Sequence, residues 1–490
     1  MAKATMTAVM TAGLIVLVTA TRFHADGDDV PQPARRNVIF ILSDDHRYDF
    51  MGFHPNAPEW LTTPGLDRMA AAGAHLQNAF VTTALCSPSR ASILTGRYAH
   101  RHGVVDNTSP IPKGTVFFPQ YLQQSGYRTA YIGKWHMGED AESDQPRAGF
   151  DHWISFRGQG VYSNPMLNIN GERRQMQGYT TDILTDSALA WLESQRKQSA
   201  PFFLYLSHKA VHSEFEPSPR HQGRYAKELI PYPESMANTE SNYREKPRWV
   251  EAQRNSWHGV DFMYHGQFDF DTFYRRYAET LLALDESVGR VLEFVERSGL
   301  AENTVVIYMG DNGFLLGEHG LIDKRNAYEE SMRVPMLVYA PGLVKAGSKV
   351  TTVVRNIDVA PTILELASAR SQHDVDGRSV LPALRGDPIE AEGEFLYEYY
   401  WEYAFPHTPS TFALRGDRYK YIFYHGVWDL NEFYDLQTDP RERSNLINVP
   451  AYKEQIDQMR TRLFDRLERT GGMQVPLRRG NWQAAERRRQ

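Results

Sequence analysis

A single cysteine, Cys86, heads the segment Cys86-Ser87-Pro88-Ser89-Arg90-Ala91-Ser92-Ile93-Leu94-Thr95-Gly96. Pro88 suits the first turn of a helix and Arg90 lies in that turn, so the segment reads as a loop turning into a helix. A thiol at a helix N-terminus beside arginine is expected to have a lowered pKa and to be nucleophilic. The free backbone N–H groups there also favour an anion. The chemistry these residues suggest is attack on an anionic group. The plain alternative for a lone cysteine is a buried small hydrophobe, and the residues elsewhere in the chain decide between the two.

Four further polar clusters each follow a short apolar run. Residues 38–42 lead into Ser43, Asp44, Asp45 and His46; residues 129–132 into Gly133, Lys134, Trp135 and His136. Residues 202–206 lead into Ser207, His208, Lys209 and then His212; residues 305–309 into Gly310, Asp311, Asn312 and Gly313. The runs are rich in β-branched and aromatic residues, as strands buried on both faces are. Helical patterns lie between them. Residues 66–72 follow Thr63-Pro64, a cap and first helical position. Tyr277, Leu281, Leu284, Val288, Val291 and Val295 form an amphipathic stripe that ends near Gly299. Alternating strands and helices predict an α/β fold with a largely parallel sheet. Ligands in such sheets bind beyond the carboxyl ends of the strands. The four clusters are therefore expected to converge.

Residues 213–271 break this pattern, being rich in Pro, Tyr, Trp, His and charge. They read as a long surface excursion that contributes to a substrate wall, with His258 and His265 as loop residues rather than ligands. A polar stretch at 385–394 then precedes short strands or turns at 395–401, 411–414, 419–424 and 432–435 and a helix at 451–467. The expected organisation is an export signal at 1–20, an α/β domain at 36–388, a smaller α+β domain at 389–475 and a basic tail at 476–490.

The cysteine segment resembles the signature of the sulfatase family, Cys-x-Pro-x-Arg followed by Thr-Gly. The run from Gly126 through Tyr127, Thr129, Gly133, Lys134 and His136 is similar to the family's second signature. The likeness continues through Asp44-Asp45, Asp311-Asn312 and Tyr434-Asp435-Leu436…Asp439-Pro440…Asn445-Leu446, nearly the whole mature chain. It implies an alkaline-phosphatase-like fold, a large mixed and mostly parallel sheet flanked by helices. It also implies that Cys86 is oxidised to formylglycine (3-oxoalanine) by a formylglycine-generating or sulfatase-maturing enzyme, and that the hydrated aldehyde attacks sulfur. On the same basis Asp44, Asp45, Asp311 and Asn312 correspond to ligands of one calcium ion that the modified Cys86 also contacts. Oxygen donors suit a hard cation, and the sequence leaves calcium and magnesium both open. Arg90, Lys134 and Lys324 correspond to the cations that hold the nucleophile and the sulfate oxygens. His136 corresponds to the histidine that contacts the second hydroxyl. His212, in Lys209-Ala210-Val211-His212, corresponds to the general acid, with His208 as the fallback. Val211 stands where the family often has proline.

The aromatic run Tyr397-Glu398-Tyr399-Tyr400-Trp401-Glu402 and the following Phe405-Pro406…Phe412 resemble sugar-sulfate sulfatases, especially N-acetylglucosamine-6-sulfatase-like and bacterial polysaccharide enzymes. These rings could stack on sugars or pack in the core. The expected substrate is a sulfated oligo- or polysaccharide; glycosaminoglycan, mucin glycan and algal ulvan all stay open. A phosphonate monoester or phosphodiester hydrolase of the same superfamily, and an inactive glycan-binding relative, are the alternatives.

Composition agrees. A chain of 490 residues with a net charge of −6 does not suggest a nucleic-acid surface. Lys3, the apolar run 6–18 and small residues Val18 and Ala20 read as an export signal, too short to span a bilayer comfortably. The mature protein is expected to be periplasmic or secreted, with no transmembrane anchor. One cysteine rules out an intrachain disulfide.

Overall fold

The computed structural model describes residues 1, 35–138, 144–389 and 393–475. The expected export segment, apart from Met1, and the basic tail lie outside them. Four parallel strands form the centre: β1 (Asn37–Ser43), β2 (Arg128–Lys134), β3 (Phe202–Ser207) and β4 (Thr304–Gly310), in the spatial order β4-β1-β3-β2. They belong to a ten-stranded sheet. Beyond β4 lie Met336–Tyr339, Ala74–Leu76 and Ser348–Val350; beyond β2 lie His152–Phe156, Met166–Ile169 and Glu172–Gln175. Antiparallel pairs occur towards both edges, so the sheet is mixed but parallel at its heart.

The central strands are apolar along their length because both faces are covered. Val38, Phe40, Leu42, Phe203, Tyr205, Val305 and Ile307 enter one core. Ile39, Ile41, Leu204, Leu206, Val306 and Tyr308 enter the other. Helix α1 (Cys86–Thr95) lies on the first side, contributing Ala91, Ile93 and Leu94. Helix α2 (Phe270–Arg297) covers the second, and its whole stripe from Tyr277 to Val295 is buried. Asp269 caps α2 by accepting from Thr272 N at 2.8 Å.

Helix Pro64–Ala72 corrects the expected cap. Thr63 Oγ1 bonds Gly52 N–H and Asp67 instead, and the Gly65 and Leu66 N–H groups donate to Asp285 of α2 at 2.9 and 2.7 Å. A distant carboxylate thus does the capping.

The C-terminal part is an antiparallel meander of β5 (Glu394–Tyr399), β6 (Thr411–Gly416), β7 (Tyr419–Tyr424) and β8 (Glu432–Asp435), backed by α3 (Lys453–Thr470). Phe395, Tyr397 and Tyr399 share the first core with the central sheet, and the Phe80 and Phe395 rings meet at 5.1 Å. No helix among the described residues is long and apolar enough to cross a membrane.

Candidate active site

Register alone brings the polar clusters together. Leu42 of β1 stands opposite Ser207 of β3, Ser43 opposite Gly310 of β4, and Gly133 of β2 opposite Ser207. The residues that follow therefore emerge on one rim. Backbone bonds hold them there: Asp44 N–H to Ala210 O at 2.9 Å, Val211 N–H to Asp44 O at 2.7 Å, and Asp311 N–H to Ser43 O at 2.9 Å. At Gly133 an added Cβ would lie 1.7 Å from the Ser207 carbonyl oxygen, so only glycine permits this approach of β2 to β3. Gly96 ends α1 in the left-handed region (φ 69°), its N–H returning to Ser92 O at 2.8 Å.

Cys86 opens α1 at this rim. Its Sγ lies 3.4 Å from Asp44 Oδ1 and 3.0 Å from Lys324 Nζ. Lys324 also pairs with Asp45, and Lys134 with Asp44. Arg90 braces the rim, with Nη2 2.8 Å from Asp311 and Nη1 donating to Lys134 O at 2.8 Å and to Ser207 Oγ at 2.6 Å. His136 sits beside the first turn of α1, where Ser87 Oγ lies 3.5 Å from its Nδ1 and donates to its carbonyl. His136 and Asp45 hold left-handed backbone conformations (φ 49° and 57°), a strain tolerated where a site demands it.

His212 turns Nε2 to within 3.9 Å of Asp45 Oδ2, while its Nδ1–H donates to Ser213 O at 2.5 Å. His208, the fallback, is elsewhere: its Nε2 bonds Ser287 Oγ of α2 at 3.0 Å. Every residue expected at the site from Asp44 to Lys324 thus meets at one rim, and His208 does not.

Burial opposes the lowered thiol pKa expected from the helix position. Burial, reinforced by Asp44, pushes Cys86 up to about 12 against the opposing Lys134 and Lys324. Burial would raise Asp44 too, but Lys134 with Arg90 and Lys324 holds it well below the usual range. Burial and the Asp44 charge push Asp311 up to about 7. Burial, with Lys134, holds His212 well below its ordinary value.

These residues fit a hard divalent cation. Donor oxygens of Asp44, Asp45 and Asp311 all lie within 4.8 Å of one another. Asn312 donates through Nδ2 to Asp45 at 2.7 Å and to Gly313 O at 2.8 Å, leaving its buried Oδ1 without a hydrogen-bond partner. A buried amide oxygen beside three crowded carboxylates is the donor chemistry of a calcium or magnesium site.

Several neighbours carry no readable signal in the sequence. Gln159 contacts Lys134 Nζ from a loop, and Asn107 Oδ1 accepts the Ser87 N–H at 3.0 Å. Lys209 was visible in the Lys-x-x-His spacing but unassigned; its ammonium lies 4.7 Å from the Tyr162 ring centroid, and burial lowers it to about 8. The excursion at 213–271 reaches the site through a bridge between Gly259 and Leu321, and Ile322 N–H donates to His258 O at 2.7 Å. His258 lies buried, 3.6 Å from Asp323.

Known proteins share this arrangement. The sulfatase family model matches residues 36–369, and the model for the C-terminal part of N-sulphoglucosamine sulphohydrolase matches 317–469. An N-acetylglucosamine-6-O-sulfatase of Bacteroides thetaiotaomicron is 32% identical over 85% of this chain and 84% of its own. An ulvan-active sulfatase of Formosa agariphila is 27% identical over 90% of this chain and 82% of its own. A structure of a protein in complex with its substrate D-glucosamine-2-N,6-O-disulfate superposes with a TM-score of 0.80 at 30% identity, covering 90% of this chain and 99% of that one. With a cysteine signature at the rim of this sheet and matches along most of its length, the chain is a sulfatase and belongs to the sulfatase family.

Proposed function

We propose that this sulfatase removes sulfate from a sulfated amino sugar, in the manner of a 6-O-sulfated glucosamine in an oligo- or polysaccharide, and that Cys86 acts as formylglycine beside one calcium ion. The observation that carries the mechanism is the meeting of Cys86 with Lys324 at 3.0 Å and with Asp44 at 3.4 Å. The substrate class rests on relatives named for N-acetylglucosamine 6-sulfate and bound to a glucosamine disulfate.

Formylglycine would supply one hydrate oxygen for attack on sulfur, displacing the alcohol, and a second hydroxyl whose deprotonation re-forms the aldehyde and expels sulfate with the first oxygen. Asp44, Asp45, Asp311 and Asn312 would hold a cation, which would supply Lewis-acid charge there. The chain's own groups do the rest. Lys134 and Lys324 hold fixed positive charge where sulfate oxygens gather charge, with no solvent to rearrange. Arg90 keeps α1 tied to the strand ends. His136, whose Nδ1 lies 3.5 Å from Ser87 Oγ beside Cys86, would take the proton of the second hydroxyl. His212 turns Nε2 towards Asp45 and would donate a proton to the leaving alcohol, the negative charge of a sulfate ester favouring the protonated imidazole against the burial that lowers it. Export to the periplasm or medium belongs to the same reading, supported by the sequence at 1–20.

Sulfate release from N-acetylglucosamine 6-sulfate, with an aryl sulfate and an aryl phosphodiester measured alongside, tests the reading. Preference for the sulfate esters, with release from the sugar, is expected. A faster phosphodiester reaction would transfer the chain's main activity to phosphoryl chemistry.

A further inference from the structure

The aromatic residues of the C-terminal part divide into two populations. Tyr397, Tyr399, Tyr400 and Phe412 are buried in the cores. Trp401 is 47% exposed, and Trp428, at the β7–β8 turn, is 104% exposed. A ring as open as that of Trp428 is costly to keep without a partner, because it is large and apolar; Trp401 is half covered, its indole N–H donating to Pro406 O at 3.3 Å. The two tryptophans flank a common anchor. Trp401 N–H donates to Ser410 Oγ at 2.9 Å, and His425 N–H, just ahead of Trp428, donates to Ser410 O at 2.9 Å.

The neighbours of Trp401 and of Lys324 are joined by an ion pair. Trp401 adjoins Glu402, whose carboxylate accepts from Arg325 Nε at 2.7 Å; Arg325 adjoins Lys324, which touches Cys86. The backbone of an arginine is fixed beside the turn. Asp429 accepts the backbone N–H of Arg248, whose residue is exposed.

We propose that Trp401 and Trp428, with Arg248, form a platform that holds the polymer chain of a sulfated glycan. The proposal rests on the sugar-sulfate reading above. Pyranose rings offer apolar faces that stack on indole, and their sulfates complement an adjacent guanidinium. Such a platform favours a polymer over a monosaccharide.

Affinity electrophoresis of the full chain carrying Cys86→Ala, through gels containing heparin, reads binding without turnover. Trp428→Ala and Trp401→Ala are each expected to weaken retardation about tenfold, while Trp428→Phe retains most of it. In the active background the same two alanine variants are expected to raise KM for the polymer about tenfold relative to each variant's own KM for N-acetylglucosamine 6-sulfate. Retardation that ignores both tryptophans, or that is equal in dextran sulfate and heparin for every variant, overturns the platform. Tryptophan-dependent binding to phosphatidylcholine–phosphatidylserine vesicles with no such dependence on heparin also overturns it, in favour of a membrane surface. Because the gel needs no catalysis, failure to release sulfate from the monosaccharide would count against the sugar-sulfate reading while the platform is still tested.

Discussion

Two buried clusters of charge in this molecule have the same formal inventory and opposite characters. At the rim, Asp44, Asp45 and Asp311 face Arg90, Lys134 and Lys324. Behind the C-terminal sheet, Glu329, Glu432 and Glu442 face Arg415, Lys246 and Lys420. The second cluster is closed. Glu432 accepts from Tyr328 at 3.1 Å and from the Tyr424 and Tyr434 hydroxyls, and Lys420 pairs with Glu329 and Glu442 at 2.8 Å each while donating to Ala327 O. Its acids are separated by tyrosines and cations. At the rim the acids converge on one another, an amide oxygen is left over, and a thiol lies in the middle. Charge count therefore does not distinguish a structural cluster from a reactive one; convergence does.

The comparison breaks most sharply at Cys86. Cys86→Ala is expected to lower kcat by on the order of 10⁴-fold or more while leaving Tm close to that of the parent. Full activity in that variant would place the nucleophile elsewhere. Next in size is metal removal. Chelation is expected to abolish most turnover and to lower Tm, with calcium restoring both; saturation at a hundredfold over Kd corresponds to about 2.7 kcal/mol of stability. A chelated protein at full rate and unchanged Tm would make the rim a second closed cluster.

The C-terminal cluster is expected to respond the other way. Lys420→Met leaves Glu329 and Glu442 buried without their ammonium, a change worth about 3–5 kcal/mol in urea unfolding, with kcat of the folded fraction nearly unaltered. A large loss of kcat at unchanged stability would contradict the division.

Much of the rim was legible because its strands are buried on both faces and their apolar runs stop where the chemistry begins. Asp44, Lys134 and Asp311 each follow such a run directly, and parallel pairing did the rest. The meander of β5 to β8 was similarly visible as short aromatic runs. What escaped was set by packing without periodicity. Asn107 and Gln159 come from loops whose composition says nothing of their targets. The cap at Gly65 and Leu66 comes from Asp285, 220 positions away from Gly65. Helix position predicts a lowered thiol pKa, whereas burial, with Asp44 beside it, pushes Cys86 up. In the aromatic run, Tyr397, Tyr399 and Tyr400 are all buried and exposure begins at Trp401, past the end of β5, so only the fold separates Tyr399 from Trp401.

The smallest effect concerns the joint between the two parts. His100 Nδ1 meets Glu398 of β5 at 2.8 Å, and its Nε2 lies 3.0 Å from Thr470 O of α3. Burial alone would lower the imidazole, but Glu398 outweighs it and the net shift is upward. The folded state thus binds this proton more tightly than the unfolded chain. Its contribution is complete below the unfolded pKa and is lost as pH rises through the folded one. A His100→Gln variant is expected to show a flatter fall of Tm between mildly acidic and mildly alkaline buffer than the parent; parallel profiles would remove the joint from the account.

The central claim, that a buried thiol becomes an aldehyde at the convergence of the rim acids, is tested most directly by mass spectrometry of the peptide carrying residue 86, taken from preparations of different specific activity. An aldehyde in place of the thiol, with activity proportional to its fraction, is the expected result. A fully active preparation whose residue 86 is wholly an unmodified cysteine would contradict it.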